Sequence, residues 1–371
     1  MMIKKYWDEN RIKILKAYSE NPNLTQAEIA NKMNTTYDAI DHAQRRYGIK
    51  QVTAPKEAPE NLKYVETYAG MVDYLKEELS KTAPCPKIAT SSKKVGDTLN
   101  VHITDWHVGR IIKDEHGQTI YDVNTFKQMI DKFLLELLKL VDKYISKGTP
   151  ITNVNILSTG DIADGMGIFA SQETVSELAP PFQVMLATQV IQKLILSFLE
   201  RNLIVTFYGV NGNHGSIRIN GKSTDFNANW DLMIYLMLDL WTKTDKRAHT
   251  VKVNYSELEY LNFVNRGWNY HLRHIAPNQS ETAAGKAKFL GWAKRHDFSV
   301  LVYGHYHHWG AWDRSKITVI RGGALTASDE FSETLAEESE PVQLVWGCNE
   351  HRPVTFLYPL DLGQKEKRKP N

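Results

Sequence analysis

Two hydrophobic periods divide the chain. Over the first fifty residues apolar positions recur at spacings of three and four, as on helices. Ile12, Leu15 and Tyr18 form one stripe, which NPN at 21–23 ends. The Thr25 hydroxyl is expected to cap a second helix while Glu28 reciprocates, with Ala27, Ala30 and Met33 inward. Thr35 is expected to cap a third helix, closed by Gly48, with Ile40, Ala43 and Tyr47 inward. Two short helices around so brief a turn outline a helix-turn-helix over residues 1–50. Residues 51–98 read as a Pro-containing linker carrying one helix, at 61–80.

From residue 99 apolar strands alternate with helical stretches. Strands are expected at Leu99–Thr104, Asn153–Ser158, Leu203–Tyr208, Thr250–Asn254, Asn269–His274, Ser299–Tyr303 and Ile317–Arg321. Helices are expected near 125–145, 182–200, 226–241 and 283–295, and a hairpin closes the domain at 341–362. This alternation predicts a layered α/β domain over 99–362 whose ligand site lies at the carboxyl ends of its strands. Residues 363–371 form a basic tail.

Composition narrows the classes. With 371 residues the chain exceeds one domain of the usual ~100–200. The only two cysteines, Cys85 and Cys348, make no CxxC pair, which excludes a zinc knuckle or disulfide framework and favours a reducing, cytoplasmic setting. No signal peptide is expected, and the most apolar run, 133–141, is broken by Glu136 and Lys139, so no membrane span is expected either. A net charge of +2 gives no general attraction for polyanions. Local patches and bound metal would have to supply it.

Five short motifs sit where predicted strands end: Asp105-Trp106-His107, Gly160-Asp161-Ile162-Ala163-Asp164, Gly212-Asn213-His214, His271-Leu272-Arg273-His274 and Gly304-His305-Tyr306-His307. Imidazole nitrogens with carboxylate and amide oxygens suit divalent first-row metals where thiolate is lacking. Residues two apart on extended backbone point the same way, which pairs Asp105 with His107 on one ion and His305 with His307 likewise.

The order DxH, GDxxD, GNH, separate histidine, GHxH resembles the calcineurin-like metallophosphoesterases over roughly residues 99–360. The resemblance implies a four-layered α/β/β/α core with two divalent ions. It implies that Asp105, His107 and His307 hold the first, that Asn213, His305 and a histidine of the 271–274 strand hold the second, and that Asp161 bridges. His274, at the strand's end, is preferred over His271; the two should point to opposite faces. His214 matches the family's catalytic histidine, and water activated between the ions would attack phosphorus. Mn2+ is preferred by likeness to the nuclease branch, with Fe2+ and Zn2+ also suiting the ligands. The family usually carries an acid after GNH, whereas this chain has Gly215; Asp164 and Asp225 are candidate substitutes.

The substrate reading rests on the helical module. A recognition helix would present Thr36, Tyr37, Gln44, Arg45 and Arg46 to DNA, although Asp38 and Asp41 oppose a phosphate backbone. A phosphodiesterase joined to a DNA reader resembles the Mre11/SbcD nuclease branch. Trp106, Tyr306, His308, Trp309 and Trp312 are candidate base-stacking groups, and Arg110, Lys113, Arg218 and Lys222 candidate backbone guides. An ATPase partner and a homodimer stay open. So do two other functions: a small-molecule or cyclic-nucleotide phosphodiesterase or protein phosphatase on the same centre, and a non-catalytic DNA-binding or scaffolding protein.

Overall fold

The computed structural model describes residues 7–50 except 22–23, and residues 96–363 except 115, 148–150, 168–174, 220–221, 224, 277–282 and 327–339. The expected helix at 61–80 and the basic tail beyond 363 lie outside them. The chain divides into two compact units, Met1–Pro84 and Cys85–Asn371.

Among its described residues the first unit holds three helices, α1 (Glu9–Ser19), α2 (Gln26–Lys32) and α3 (Tyr37–Tyr47). Thr25 and Glu28 form the expected reciprocal capping box. Thr36, not Thr35, caps α3 by accepting from the Ala39 amide at 3.3 Å. Gly48 closes that helix in the left-handed region. Leu15, Ile29, Ala30, Met33, Ile40 and Ala43 make the core. Ile29 takes the inward place expected of Ala27, which is exposed, because the larger side chain removes more apolar area from water. Tyr47, expected inward, stays 37% exposed at the helix end.

The second unit is built from two sheets. The six-stranded sheet runs β15 (Phe356–Asp361), β14 (Val342–Cys348), β1 (Asp97–Ile103), β4 (Ile151–Ser158), β5 (Ile204–Gly209) and β8 (Lys252–Tyr255). Within it β1, β4, β5 and β8 are parallel, whereas β14 and β15 run antiparallel as the closing hairpin. The five-stranded sheet runs β12 (Gly310–Arg314), β13 (Ile317–Arg321), β11 (Val300–Tyr303), β10 (Trp268–Arg273) and β9 (Tyr260–Asn265), its three inner strands parallel. Short ribbons pair β2 (Ile112–Lys113) with β3 (Thr119–Tyr121) and β6 (Arg218–Ile219) with β7 (Lys222–Ser223). The antiparallel edges β9 and β12 were not expected, since their mixed, half-exposed residues carry little apolar alternation.

The sheets meet face to face. Leu157, Leu344 and Trp346 of the larger sheet pack with Tyr270, Leu272, Val300, Val302 and Ile320 of the smaller. Strand alternation sends Leu301, Tyr303, Ile317 and Val319 the other way, onto Phe289 and Trp292 of α7 (Ala283–His296). Helices α4 (Val123–Ser146), α5 (Pro180–Leu199) and α6 (Trp230–Thr244) cover the far face of the larger sheet, where Phe207 meets Tyr235. The result is the expected α/β/β/α layering. One departure concerns α5, which is long and apolar enough to cross a membrane by length and composition, against expectation. Its buried polar positions, Gln183, Thr188 and Gln192, are uncharged, and it is mostly buried as a core helix.

Candidate metal centre

Parallel strands bring their carboxyl ends to one edge of each sheet; four of the five motifs occupy the loops there, and His274 of the remaining one directly follows β10. Those loops are not extended. Asp105, His107, Asp161, His305 and His307 have φ of 52°, 46°, 51°, 76° and 61°, in the left-handed region. Holding a non-glycine residue there costs about 1–3 kcal/mol, so the surroundings must impose it. The expectation that the strand pleat aligns Asp105 with His107 therefore fails. They converge through left-handed turns beyond the end of β1.

The constraint comes from residues that sequence reasoning missed. Asp231, fully buried in the first turn of α6, accepts the amides of Asp161 (2.9 Å), Ile162 (3.1 Å), Ala163 (3.0 Å) and Gly212 (2.9 Å). One carboxylate thus ties the GDxxD loop to the GNH loop. Burial pushes Asp231 up to about 6. Its signal in the sequence is only an acid opening an apolar helix. Gln343 plays a similar part for the first loop, accepting from the Thr104 amide and the Trp106 indole and donating to the Thr104 carbonyl. The two tied loops touch so closely that a Cβ on Gly212 would lie 2.1 Å from the Asp161 amide nitrogen.

Ligand-type atoms gather in three overlapping groups: Asp105, His107 and His307; His107, Asp161 and His214; Asp161, His274 and His305. In the first, His307 Nε2 lies 3.2 Å from His107 Nε2 and 3.6 Å from Asp105 Oδ1. In the last, His274 Nε2 lies 2.8 Å from Asn213 Oδ1, 3.0 Å from Asp161 Oδ2 and 3.3 Å from His305 Nδ1. His305 and His307 thus belong to different groups. Pairing them on one ion by spacing was wrong, because both sit on left-handed backbone where the strand rule does not apply.

The chemistry of these contacts fits a metal pair. His107 donates from Nδ1 to Asp164 Oδ1 at 3.2 Å, so its Nε2 lone pair faces His307 and Asp105. His274 donates from Nδ1 to the Thr159 carbonyl at 2.7 Å, which turns its Nε2 toward an amide oxygen, a carboxylate and a second imidazole; in the metal-free chain that nitrogen carries a proton for Asp161. Ring nitrogens and carboxylate oxygens converging in a buried site suit a cation between them. Burial and the neighbouring His214 push His107 down to about 4, and burial with His274 does the same to His305, which keeps both available as neutral ligands. Burial opposes a proton on His274, but the Asp161 carboxylate outweighs it and lifts that ring to about 9. Burial likewise opposes charge on Asp161, yet His274 and His214 hold it well below the usual carboxylate range. Burial drives Asp105 up to about 7, the Asp161 charge adding to the effect.

His214 sits at the rim of this cluster, its ring 4.4 Å from that of His107 and its amide donating to Asp161 Oδ1 at 2.7 Å. Its Nδ1 donates to Asp164 Oδ1 at 3.2 Å. Asp164 therefore replaces the missing acid, whereas Asp225 is exposed and caps its own turn at Asn227. Residue 215 has no room for a carboxylate, since a Cβ there would lie 2.4 Å from Asn229 Oδ1. Burial opposes protonation of His214, but Asp161 and Asp164 raise it above the ordinary histidine value. The Arg110 guanidinium reaches within 3.8 Å of the same Asp164 oxygen.

Other expected residues are placed differently. His271 points to the opposite face, stacked on Phe298 and bonded to Asn262, as the strand rule requires. Trp106 is fully buried against Phe126 and cannot stack on a base. Tyr306 donates to the Ala276 carbonyl and packs with Trp312 under α7, while Trp309 is 43% exposed. Gln44 is buried in α3, donating to Ser19 Oγ at 2.8 Å, so it does not face outward as a DNA reader would, whereas Thr36, the cap of that helix, is exposed. Tyr37 is 53% exposed, Arg45 pairs with Asp41 at 3.0 Å, and Arg46 lies over Tyr47.

The family model for calcineurin-like phosphoesterases matches residues 101–309, more than half of the chain. No curated protein sequence matches. Similar solved structures include an archaeal phosphodiesterase (10% identity, covering 70% of this chain and 99% of that one, TM-score 0.33). Zinc-bound Vps29 from Entamoeba histolytica is another (11% identity, 71% and 99% covered, TM-score 0.32). A third is a phosphoesterase-like protein from Streptococcus pneumoniae TIGR4 (14% identity, 72% and 99% covered, TM-score 0.27).

Proposed function

This chain belongs to the calcineurin-like phosphoesterase family, and from that premise we propose that it is a metal-dependent phosphodiesterase that cleaves DNA. The observation that carries the reading is the pair of ligand groups, Asp105/His107/His307 and Asp161/His274/His305, beside a histidine already oriented by a carboxylate. Asp105, His107 and His307 would hold one ion, and Asn213, His274 and His305 the other, with Asp161 serving both. Mn2+ is the preferred metal. When bound, such a pair supplies Lewis acidity toward phosphoryl oxygens and lowers the pKa of a water.

The chain's own residues do the rest. His214, its Nδ1 held by Asp164, carries a proton on Nε2 for the departing oxygen. Burial opposes that proton, but Asp161 and Asp164 raise the His214 pKa above its ordinary value, which favours the proton-bearing form. Arg110, beside Asp164, offers positive charge to a phosphate on the same side. Asp231 and Gln343 keep the ligand loops from relaxing. Exposed Arg45 and Arg46 on α3 support a nucleic-acid substrate, since they can neutralise backbone phosphates.

The test supplies Mn2+ and offers bis-p-nitrophenyl phosphate beside linear, nicked, hairpin and single-stranded DNA. The full chain should hydrolyse the small ester and at least one DNA form. A double charge reversal, Arg45→Glu with Arg46→Glu, should weaken DNA cleavage and spare the small ester. Hydrolysis of the ester with no DNA cleaved would refute the nuclease reading and leave a small-molecule phosphodiesterase. Turnover of neither with Mn2+, Fe2+ or Zn2+ would refute catalysis.

A further inference from the structure

Behind the metal centre runs a line of buried polar groups. His102, on β1, is fully buried and stands edge-on to Trp346. Its Nε2 lies 2.8 Å from Thr159 Oγ1, which lies 2.8 Å from Thr104 Oγ1, which lies 2.6 Å from Asp105 Oδ2. Thr104 and Thr159 are themselves 1% and 0% exposed.

The direction of this line follows from donor counting. With a cation at the site the Asp105 carboxylate would be ionised and only accept, so the Thr104 hydroxyl donates to Asp105; the Gly160 carbonyl competes for it only at 3.4 Å. With its proton committed, Thr104 Oγ1 accepts from Thr159. Thr159 in turn has no proton left for the ring, so His102 must donate from Nε2. The ring is then neutral with a bare Nδ1, and that nitrogen is buried without a hydrogen-bond partner among the described residues. Burial pushes His102 down to about 3, consistent with a neutral ring. An apolar side chain would avoid the unpartnered nitrogen, so the imidazole earns its place through the Nε2 donor.

We propose that His102 is a positioning residue for Asp105, acting through Thr159 and Thr104 to commit Oδ2 to the protein and leave Oδ1 for one ion. The geometry agrees. Oδ1 faces His307 Nε2 at 3.6 Å and His107 Nε2 at 4.0 Å. Oδ2 takes the Thr104 hydroxyl and the shorter contact from the His305 amide, 3.0 Å against 3.2 Å to Oδ1. A carboxylate fixed this way binds through one oxygen in one orientation. The inference rests on the metal-centre reading above.

The experiment is calorimetric titration of the metal-stripped full chain with Mn2+, with bound metal counted after dialysis. His102→Phe and Thr159→Val should each weaken one of two ions by about 10- to 100-fold, the usual effect of losing an outer hydrogen bond. His102→Gln, which can donate from nearly the same place, and Thr159→Ser should restore parent affinity. Thr104→Val combined with His102→Phe should be no worse than Thr104→Val alone, because the line acts as one unit. A parent that binds two ions while His102→Phe and Thr159→Val bind them as tightly overturns this inference alone. Equal weakening of both ions, or full additivity in the double variant, also overturns it. A parent that binds no Mn2+ overturns the metal centre and this inference together. Should His102→Phe fail to fold, Thr159→Val against Thr159→Ser decides the same question.

Discussion

The N-terminal helices and the metal-centre loops obey local rules to opposite degrees. In the helices, Thr25, Glu28, Thr36 and Gly48 stand where capping chemistry wants them, and the apolar stripe faces inward. Around the metal centre, five non-glycine residues hold left-handed backbone, carboxylates are fully buried, and imidazole nitrogens crowd against one another and against carboxylates. Local conflict of this kind persists only when the rest of the fold enforces it, and it concentrates where chemistry is done. The comparison therefore separates a unit stabilised by its own sequence from loops stabilised by distant residues and, by our proposal, by bound ions.

The largest effect should come from Asp161→Asn, which removes the charge shared by both ligand groups. Hydrolysis of bis-p-nitrophenyl phosphate should fall by more than the roughly 100-fold upper range for loss of an outer hydrogen-bond partner. Steady-state kinetics checks it. Asp231→Ala would orphan four amides, and at about 1–3 kcal/mol for each buried donor left unsatisfied it should cost at least about 3 kcal/mol, read by urea unfolding of the metal-free chain. Chelation offers the sharpest contrast. Mn2+ at 100 times its dissociation constant stabilises by about 2.7 kcal/mol per site, so in calorimetry the transition of the larger unit should move with Mn2+ and that of the helices should not.

A smaller change separates orientation from ligation. Asp164→Asn should lower kcat by about 10- to 100-fold and move the alkaline limb of the pH–rate profile to lower pH. The sign follows from His214: Asp164 raises its pKa, the proton-bearing form exists below that pKa, and the variant loses it sooner as pH rises. An unmoved limb would remove His214 as the proton donor. The smallest effect belongs to the helices. Thr25→Ala should cost their transition about 1 kcal/mol while leaving ester hydrolysis unchanged.

How much was legible differs between these regions for physical reasons. Strand and helix positions follow from periodicity, so the observed β4, Ile151–Ser158, and α7, Ala283–His296, lie within two residues of expectation. The motif residues were legible because metal ligation demands particular atoms whatever the backbone does. Their pairing was not. Treating 305 and 307 as neighbours on a strand put them together, and the left-handed turns sent them apart. A recognition helix would present Gln44 outward, yet Ser19, twenty-five positions earlier, offers it a buried partner. Trp106 was read as a stacking platform, but Gln343, 237 positions later, takes its indole inward.

Order along the chain, then, determined the alternating core, the caps of the small helices and the set of atoms able to bind metal, because periodicity, capping and donor type are properties of neighbouring residues. Only the tertiary structure decided which histidine joins which group, that Asp164 orients His214 in place of an acid at 215, and that Asp231 and His102 stand behind the ligands. Each of those outcomes depends on contacts between residues about 50 to 200 positions apart. Such contacts leave no periodic trace, because they are made by loops meeting at the strand ends.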